Sequence, residues 1–273
     1  MFRGFSGEHP IGYSARMQVV ILCGGLGTRL RGETEYRPKP MVHIGGRPIL
    51  WHIMKTYAAH GHKEFVLCLG YKGEVIREFF LNYHAMTSDL TLRLGPVSAY
   101  NFHSVHDEED WTVTLIETGL KTMTGGRLQR VLPHIREEEF LFTYGDGVTN
   151  ADINQSIAFH RSHGGIATLT AIPPENRFGH LELRGTQVRS FQEKPRSKDE
   201  YVNGGYFVIN KRIGKYLSGD ECVLEKEPLA RLAADGELHA FKFHGFWQCM
   251  DTLREYEVLN RLWDAGAAPW KVW

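Results

Sequence analysis

The chain of 273 residues lacks an excess of charge of either sign, because 32 Lys and Arg balance 32 Asp and Glu. It also lacks a run rich in Lys or Arg, such as a nucleic-acid or anionic-membrane surface would show. No apolar stretch approaches the ~20 residues that span a bilayer. We therefore expect that the chain binds neither nucleic acid nor membrane.

Cysteine is scarce, and no Cys-x-x-Cys pair is present. The four cysteines are Cys23, Cys68, Cys222 and Cys249, and they are widely spaced. Cys23 and Cys68 lie within apolar runs typical of strands. This usage predicts buried free thiols in a cytoplasmic protein. The chain also has no Gly-x-Ser-x-Gly elbow and no plausible Cys/His nucleophile pair, which argues against catalysis through a serine or cysteine nucleophile.

The length is sufficient for one α/β domain with a large core. Residues 1–16 are polar and Gly-rich and have no apolar core of a secretory signal. We expect them to form a flexible N-terminal extension. No linker divides the rest, so residues 17–273 are expected to form a single domain.

Apolar runs alternate with amphipathic stretches, as in β-α-β units. The predicted fold class is α/β, a Rossmann-like three-layer sandwich with a mixed, mostly parallel central sheet and a more β-rich second half. The predicted strands are 18–23, 64–69, 90–94, 112–117, 139–144, 166–172, 180–183, 188–192, 206–209 and 238–243. The predicted helices are 48–59, 73–84, 125–135 with Thr124 as its cap, 153–163, 224–234 and 252–265. Residues 95–110 are polar and are predicted to be irregular and outside the sheet.

A glycine-rich loop follows the first predicted strand, and its sequence is Cys-Gly-Gly-Leu-Gly-Thr-Arg-Leu-Arg over residues 23–31. Glycine lets backbone N–H groups crowd around phosphate oxygens, and Arg29 and Lys39 supply positive charge just beyond. The loop has Leu30 where a dinucleotide fold has its third glycine, and it lacks the Gly-Lys-Ser/Thr of a Walker loop. It therefore indicates another class of nucleotide binder.

Two aspartates are candidate metal ligands, because ligands of open α/β sheets bind beyond the carboxyl ends of the strands. Asp146 lies between two glycines after a predicted strand, and Asp251 follows the segment 246–250. Magnesium favours one or two carboxylates together with water and phosphate oxygens. The alternative interpretation of Gly145-Asp146-Gly147 is a simple tight turn.

Together these motifs resemble the sugar-1-phosphate nucleotidylyltransferases, and among them the glucose-1-phosphate cytidylyltransferases. The blocks that carry the resemblance, in one register from Met17 to the C-terminus, are 24–30, 37–41, 49–54, 123–127, 142–147, 191–195, 203–205, 245–252 and 268–271. Cys23 stands where this family usually has Ala, and Cys249 where it usually has Pro. Residues 1–16 are extra, and residues 95–110 match least well.

The resemblance implies a fold of the nucleotide-diphospho-sugar transferase type with a smaller β-rich sugar-binding part. It implies a magnesium-dependent reaction of CTP with α-D-glucose 1-phosphate, which gives CDP-glucose and pyrophosphate for surface polysaccharide synthesis, in a homo-oligomer. The implied catalytic residues are Arg29, Lys39 and Asp146. The implied nucleotide-binding residues are Leu22, Gly24, Gly25, Leu26, Gly27, Thr28, Arg29, Lys39, Thr122, Arg127 and Gly145. The implied sugar-phosphate ligands are Glu193, Lys194, Asn203 and Gly204, and the implied metal ligands are Asp146 and Asp251.

Two alternatives stay open from the sequence. A sibling enzyme that uses dTTP or UTP would share the sheet and the phosphate-binding residues. A non-catalytic nucleotide-sugar sensor on the same scaffold should lack at least one of Arg29, Lys39, Asp146 and Asp251, and all are present. Arg127 could read the O2 and N3 acceptors of cytosine, or it could be a charge on a helix surface.

Overall fold

The computed structural model describes residues 16–27, 30, 32–95, 99–103, 110–174, 180–192 and 200–273. Thr28, Arg29, Glu193, Lys194 and nearly all of the predicted N-terminal extension lie outside these ranges. The α-helices are α1 (Ile49–Ala59), α2 (Gly73–Leu81), α3 (Tyr83–Thr87), α4 (Thr124–Val131), α5 (Ile153–His163), α6 (Glu227–Ala234) and α7 (Leu253–Asp264).

The strands are β1 (Gln18–Leu22), β2 (His43–Ile44), β3 (Arg47–Pro48), β4 (Glu64–Leu69), β5 (Leu90–Arg93), β6 (Ala99–Phe102), β7 (Thr112–Glu117), β8 (Glu139–Tyr144), β9 (Gly147–Thr149), β10 (Ala167–Ile172), β11 (His180–Arg184), β12 (Gln187–Gln192), β13 (Val202–Asn210), β14 (Leu238–Lys242) and β15 (Trp247–Cys249). Short 3-10 helices cover Lys39–Met41, Leu132–His134 and Lys211–Tyr216.

Seven strands form the central sheet in the order β14-β10-β13-β8-β1-β4-β7. Only β13 runs antiparallel to its two neighbours in this sheet, and the remaining pairs are parallel. Val19 and Ile21 of β1 pack into one core with α1, whereas Val20 and Leu22 pack into a second core with α4. Burial of both faces explains the continuous apolar run of β1. The predicted mixed, mostly parallel sheet between layers of helices is confirmed.

The prediction of one continuous helix over residues 73–84 was wrong, because the structure divides this segment into α2 and α3 at Asn82. The Asn82 side chain donates to the carbonyl of Glu78 at 2.9 Å, the same oxygen that accepts from the Asn82 backbone N–H. Local side-chain bonds of this kind compete with helix continuation. The segment predicted as wholly irregular contains β6, which pairs with β5 in a separate two-stranded sheet.

Two further boundaries and the identity of the last strand needed correction. Thr124 is the first residue of α4 rather than its cap, which is Met123. Helix α6 begins at Glu227 instead of residue 224, with Pro228 in its first turn, where its missing N–H costs nothing. The strand predicted to be the last, β14, is followed by β15. Strands β15 and β9 have three residues each, which is too short for an alternation of apolar and polar residues to predict them.

None of the helices in the described part of the chain combines the length and apolar character that crossing a bilayer requires.

Candidate functional site

A cleft of about 730 Å³ opens at the carboxyl edge of the sheet, where β1 and β8 end side by side. Its lining residues are Leu22, Cys23, Gly24, Gly25, Leu26, Gly27, Lys39, Pro40, Leu120, Lys121, Thr122, Met123, Thr124, Arg127, Tyr144, Gly145 and Asp146. Every described residue that the sequence predicted to bind nucleotide lies in this lining. The structure thus brings together residues that are more than a hundred positions apart in the chain.

The glycines of the cleft allow close approaches of neighbouring groups. A Cβ on Gly145 would lie 2.7 Å from Pro40 Cγ and 2.8 Å from the carbonyl oxygen of Leu22. The N–H of Gly145 donates to that same carbonyl at 3.0 Å. Gly27 adopts a φ of +64°, a conformation that side-chain-bearing residues rarely tolerate. A larger residue at Gly145 would push the turn after β8 away from the end of β1 and from Pro40, and one at Gly27 would meet Thr34 and Lys39.

Lys39 joins the two predicted metal ligands. Its Nζ donates to Asp146 Oδ2 at 2.7 Å and also to Asp251 Oδ1. The lysine side chain is 10% exposed, and the two carboxylates are 31% and 20% exposed. Asp146 and Asp251 therefore converge at the edge of the cleft, although they lie far apart in the sequence.

The antiparallel pair of β9 and β15 produces this convergence. Cys249 lies opposite Gly147 in the register, and the N–H of Met250 donates to the carbonyl of Asp146 at 2.8 Å. A capping box then begins α7 directly after Asp251. Glu255 Oε2 accepts from the backbone N–H of Asp251 at 2.7 Å and from that of Thr252 at 2.8 Å. The sequence Thr-x-x-Glu at 252–255 is the capping-box pattern, and it could have predicted that the N-terminus of α7, next to Asp251, is held in place.

Charge dominates this corner of the cleft. Burial alone would lower the pKa of Lys39, but the negative charges and hydrogen bonds of Asp146 and Asp251 outweigh it and raise the pKa. Lys39 is therefore an ammonium ion. Each carboxylate directs one oxygen atom at the Lys39 ammonium, and carboxylate oxygen is the ligand type that hard divalent cations prefer.

Arg127 is buried across the floor of the cleft, so its interpretation as a helix-surface charge was wrong. Its Nη1 donates to the Leu69 carbonyl at 2.9 Å and to Thr118 Oγ1 at 2.7 Å. Its Nη2 donates to the Gly24 carbonyl at 3.1 Å and to the Leu120 carbonyl at 3.4 Å. These acceptors are neutral oxygens, and burial lowers the pKa of this guanidinium. Arg127 thus ties the glycine loop to β4 and to the segment that precedes α4.

Residues 219–225, here called the 219–225 loop, pack against the N-terminus of α4. The Cys222 carbonyl accepts from the N–H of Gly125 at 2.8 Å and from that of Gly126 at 3.2 Å. A Cβ on Gly125 would lie 2.5 Å from the Cys222 sulfur, and one on Gly126 would lie 2.8 Å from Asp220 Cα. The two glycines of the Met-Thr-Gly-Gly-Arg motif therefore make room for this loop, which satisfies their own backbone N–H groups in the first turn of α4.

Sequence reasoning missed three residues at the cleft. Tyr144 and Thr124 line it, and both donate hydrogen bonds to Glu225 of the 219–225 loop. Tyr144 belongs to the Phe-Thr-Tyr-Gly-Asp-Gly block and could have been proposed on that ground, whereas no motif included Glu225. Asn203 and Gly204 lie outside the cleft lining, but the adjacent Gly205 packs against the ring of Tyr144.

A glycine loop, a buried lysine and two convergent carboxylates at the carboxyl edge of a mixed α/β sheet define a nucleotide-binding protein of the nucleotidyltransferase class. The model of the nucleotidyl transferase family matches residues 18–256. The glucose-1-phosphate cytidylyltransferase of Salmonella typhimurium is 54% identical over 260 residues, which are 94% of this chain and 100% of that protein. The chain therefore belongs to the nucleotidyl transferase family, in the group of the glucose-1-phosphate cytidylyltransferases, and the predicted resemblance is confirmed.

A second relative and a solved structure are consistent with this family and this fold. A Bacillus subtilis protein named probable glucose-1-phosphate cytidylyltransferase is 43% identical, over 94% of this chain and 100% of its own length. The crystal structure of HddC from Yersinia pseudotuberculosis has a TM-score of 0.67 and 22% identity, and the match covers 90% of this chain and 99% of that one. At that identity the likeness shows the fold alone. Nucleotidyltransferases of this family generally use a divalent metal.

Proposed function

We propose that this protein transfers the cytidylyl group of CTP to α-D-glucose 1-phosphate, giving CDP-glucose and pyrophosphate. The observation that carries the proposal is the convergence of Lys39, Asp146 and Asp251 beside the glycine loop. The names of the Salmonella and Bacillus relatives support CTP and glucose 1-phosphate as the substrates.

In the proposed reaction, a phosphate oxygen of glucose 1-phosphate attacks the α-phosphorus of CTP. A bond forms between these atoms, and the bond from the α-phosphorus to the bridging oxygen breaks, so that pyrophosphate leaves with the electron pair. A phosphate monoester has a second pKa near ~6, so the nucleophile is largely a dianion at neutral pH and needs no general base. The difficulty is the repulsion between this dianion and the triphosphate.

The chain's cations act against that repulsion. Lys39 is charged and lies at the edge of the cleft. Arg29 is proposed as a bidentate clamp on the triphosphate, and the amides of residues 24–27 as ligands of its oxygens. Pre-organised positive charge of this kind stabilises the departing pyrophosphate. Arg127 is proposed to read the cytosine, which requires one of its Nη groups to exchange a protein acceptor for an acceptor of the base.

Asp146 and Asp251 are proposed to hold Mg²⁺. Within the described ranges, no group of three or more His, Cys, Asp or Glu is placed to hold a metal ion. A pair of carboxylates whose remaining ligands are water and phosphate oxygens fits the preference of magnesium. When bound, the ion would supply charge neutralisation for the triphosphate and for pyrophosphate. Lys39 Nζ lies between the same carboxylates, and it would then be free to contact phosphate.

Glu193, Lys194, Asn203 and Gly204 are proposed to hold the sugar phosphate, on the strength of the family resemblance. A homo-oligomer in the cytoplasm is also proposed, and light scattering coupled to size-exclusion chromatography tests the subunit number. Free thiols at all four cysteines are consistent with a reducing compartment.

The main experiment measures pyrophosphate release for a matrix of CTP, UTP, dTTP, ATP and GTP against several hexose 1-phosphates, with and without Mg²⁺. We expect turnover with CTP and glucose 1-phosphate that requires Mg²⁺. Preference for UTP or dTTP would assign the sibling activity, and no turnover with any pair would favour the sensor. Asp146→Asn and Asp251→Asn should lower turnover by about 10²-fold or more. Asp264→Asn is the matched control, because Asp264 is exposed at the end of α7.

A further inference from the structure

Three side chains beside the cleft form a continuous set of hydrogen bonds, here called the Tyr144 network: Thr124, Tyr144 and Glu225. The Tyr144 hydroxyl donates to Glu225 Oε1, and Thr124 Oγ1 donates to Glu225 Oε2 at 2.6 Å. The turn at 203–205 adjoins this network, because Gly205 packs on the ring of Tyr144. The network thus links the start of α4, the end of β8 and the 219–225 loop, with the turn in β13 packed against it.

The donors and acceptors of this network can be assigned without ambiguity. A tyrosine hydroxyl has one proton, and that of Tyr144 goes to Glu225. Thr124 Oγ1 accepts from the N–H of Leu224 at 2.9 Å, and its own proton goes to the other carboxylate oxygen. Asn203 Oδ1 accepts from the N–H of Gly205 at 2.8 Å, which holds the Asn203 side chain within its own turn. Both hydroxyl oxygens can therefore offer only lone pairs to a ligand.

The position of the network links it to the sugar half of the site. Tyr144 lines the cleft two residues before Asp146. Gly205 has a φ of +75°, and a Cβ on it would lie 2.7 Å from Tyr144 Cδ2, so the turn at 203–205 packs closely on the ring. The Tyr144 hydroxyl donates to Glu225 on the other side, so the ring lies between the 203–205 turn and the 219–225 loop. A movement of Tyr144 would therefore disturb the turn that carries Asn203.

We propose that Glu225 is a positioning residue for the sugar phosphate. It holds Tyr144, and through the packing of Tyr144 on Gly205 it holds the turn that carries Asn203, so that this wall meets the hydroxyl groups of the sugar with acceptors of fixed orientation. The carboxylate also makes the wall negative, which favours hydroxyl groups and disfavours a phosphate there. This inference rests on the proposed function, because it takes the 203–205 turn to be part of the sugar site.

The test compares Glu225→Ala and Glu225→Gln with Glu221→Ala, an exposed glutamate of the same loop. Loss of a hydrogen bond to a charged acceptor changes an equilibrium by about tenfold or more. Glu225→Ala should therefore raise KM for glucose 1-phosphate about tenfold and change KM for CTP less than about twofold. Glu225→Gln should stay within about threefold of the wild type, because its carbonyl oxygen still accepts from Tyr144. Glu221→Ala should behave as the wild type.

Tyr144→Phe should reproduce the Glu225→Ala effect, and the double variant should be no worse than either single variant. Thermal unfolding followed by circular dichroism checks that each variant is folded. Equal increases in KM for both substrates, a fall in kcat alone, or a Gln variant as impaired as the Ala variant would overturn the proposal. The kinetics use whichever substrate pair the wild type accepts in the matrix. A different preferred pair would refute the proposed function, whereas an unchanged KM for its sugar phosphate would refute the role of Glu225.

Discussion

Trp270 provides the sharpest test of how the C-terminal segment supports the site. The residue is fully buried, and its ring stacks on Phe246 with 5.6 Å between centroids and on Trp263 with 6.3 Å. Its Nε1 donates to His52 Nδ1 at 3.4 Å. The carbonyl of Phe246 accepts from Thr149 Oγ1, so Trp270 packs directly behind the pair of β9 and β15.

We expect Trp270→Ala to lower the free energy of unfolding by about 3–5 kcal/mol. An aromatic side chain buries 150–250 Å² at about 25 cal/mol per Å², which gives roughly 4–6 kcal/mol before the site relaxes around the gap. Trp270→Phe should cost less, because a phenyl ring keeps part of the stacking on Phe246, although it loses some buried surface and the hydrogen bond to His52. The assay is urea unfolding followed by far-UV circular dichroism.

Trp273→Ala is the matched control, because Trp273 is only half-buried and contacts Trp51 edge-on at 5.7 Å between centroids. We expect it to cost about 1–2 kcal/mol, in proportion to its smaller buried surface. The reasoning would be refuted by a loss below about 1 kcal/mol for Trp270→Ala, or by equal losses for the two tryptophans.

Three further predictions concern α4, the buried histidines and Arg127. Gly125→Ala should lower the free energy of unfolding in urea by about 1–2 kcal/mol, because the cost of overlap between the added methyl group and Cys222 exceeds the gain in helix propensity. A stabilised variant would contradict the predicted overlap. Burial lowers the pKa of His52 to about 4 and that of His160 to about 4. Between about pH 4 and pH 6.5, these two histidines bind protons in the unfolded chain but not in the folded chain. The free energy of unfolding is therefore highest above about pH 6.5 and falls toward pH 4, by up to about 3 kcal/mol per histidine. Equal urea midpoints at pH 7 and pH 5 would contradict this prediction. Arg127→Ala should raise KM for CTP far more than KM for glucose 1-phosphate, and equal losses in steady-state kinetics would count against base reading.

Local patterns in the chain were sufficient for much of the fold. The alternation of apolar and amphipathic segments predicted the parallel core strands, because residues buried on both faces of a sheet form continuous apolar runs such as Val19–Leu22. The glycine loop and Lys39 were also evident, since phosphate binding needs small residues and cations close together in sequence. The break at Asn82 was missed, because a single side-chain bond to Glu78 decides it. Pairing partners decided the strands β6, β9 and β15, which local sequence does not specify.

The amino-acid sequence alone was enough to identify Asp146 and Asp251 as candidate ligands, because Asp146 follows a predicted strand, Asp251 follows the segment 246–250, and both are carboxylates. It could not place Lys39 between them, since that arrangement depends on the register of β9 against β15. The role of Glu225 likewise follows only from the packing of the 219–225 loop on α4. Such contacts join residues that are distant in the chain, and no periodicity or local propensity encodes them. Contacts between residues far apart in the chain decided the geometry of the site, whereas the residue types within each local motif decided the chemistry that the site can perform.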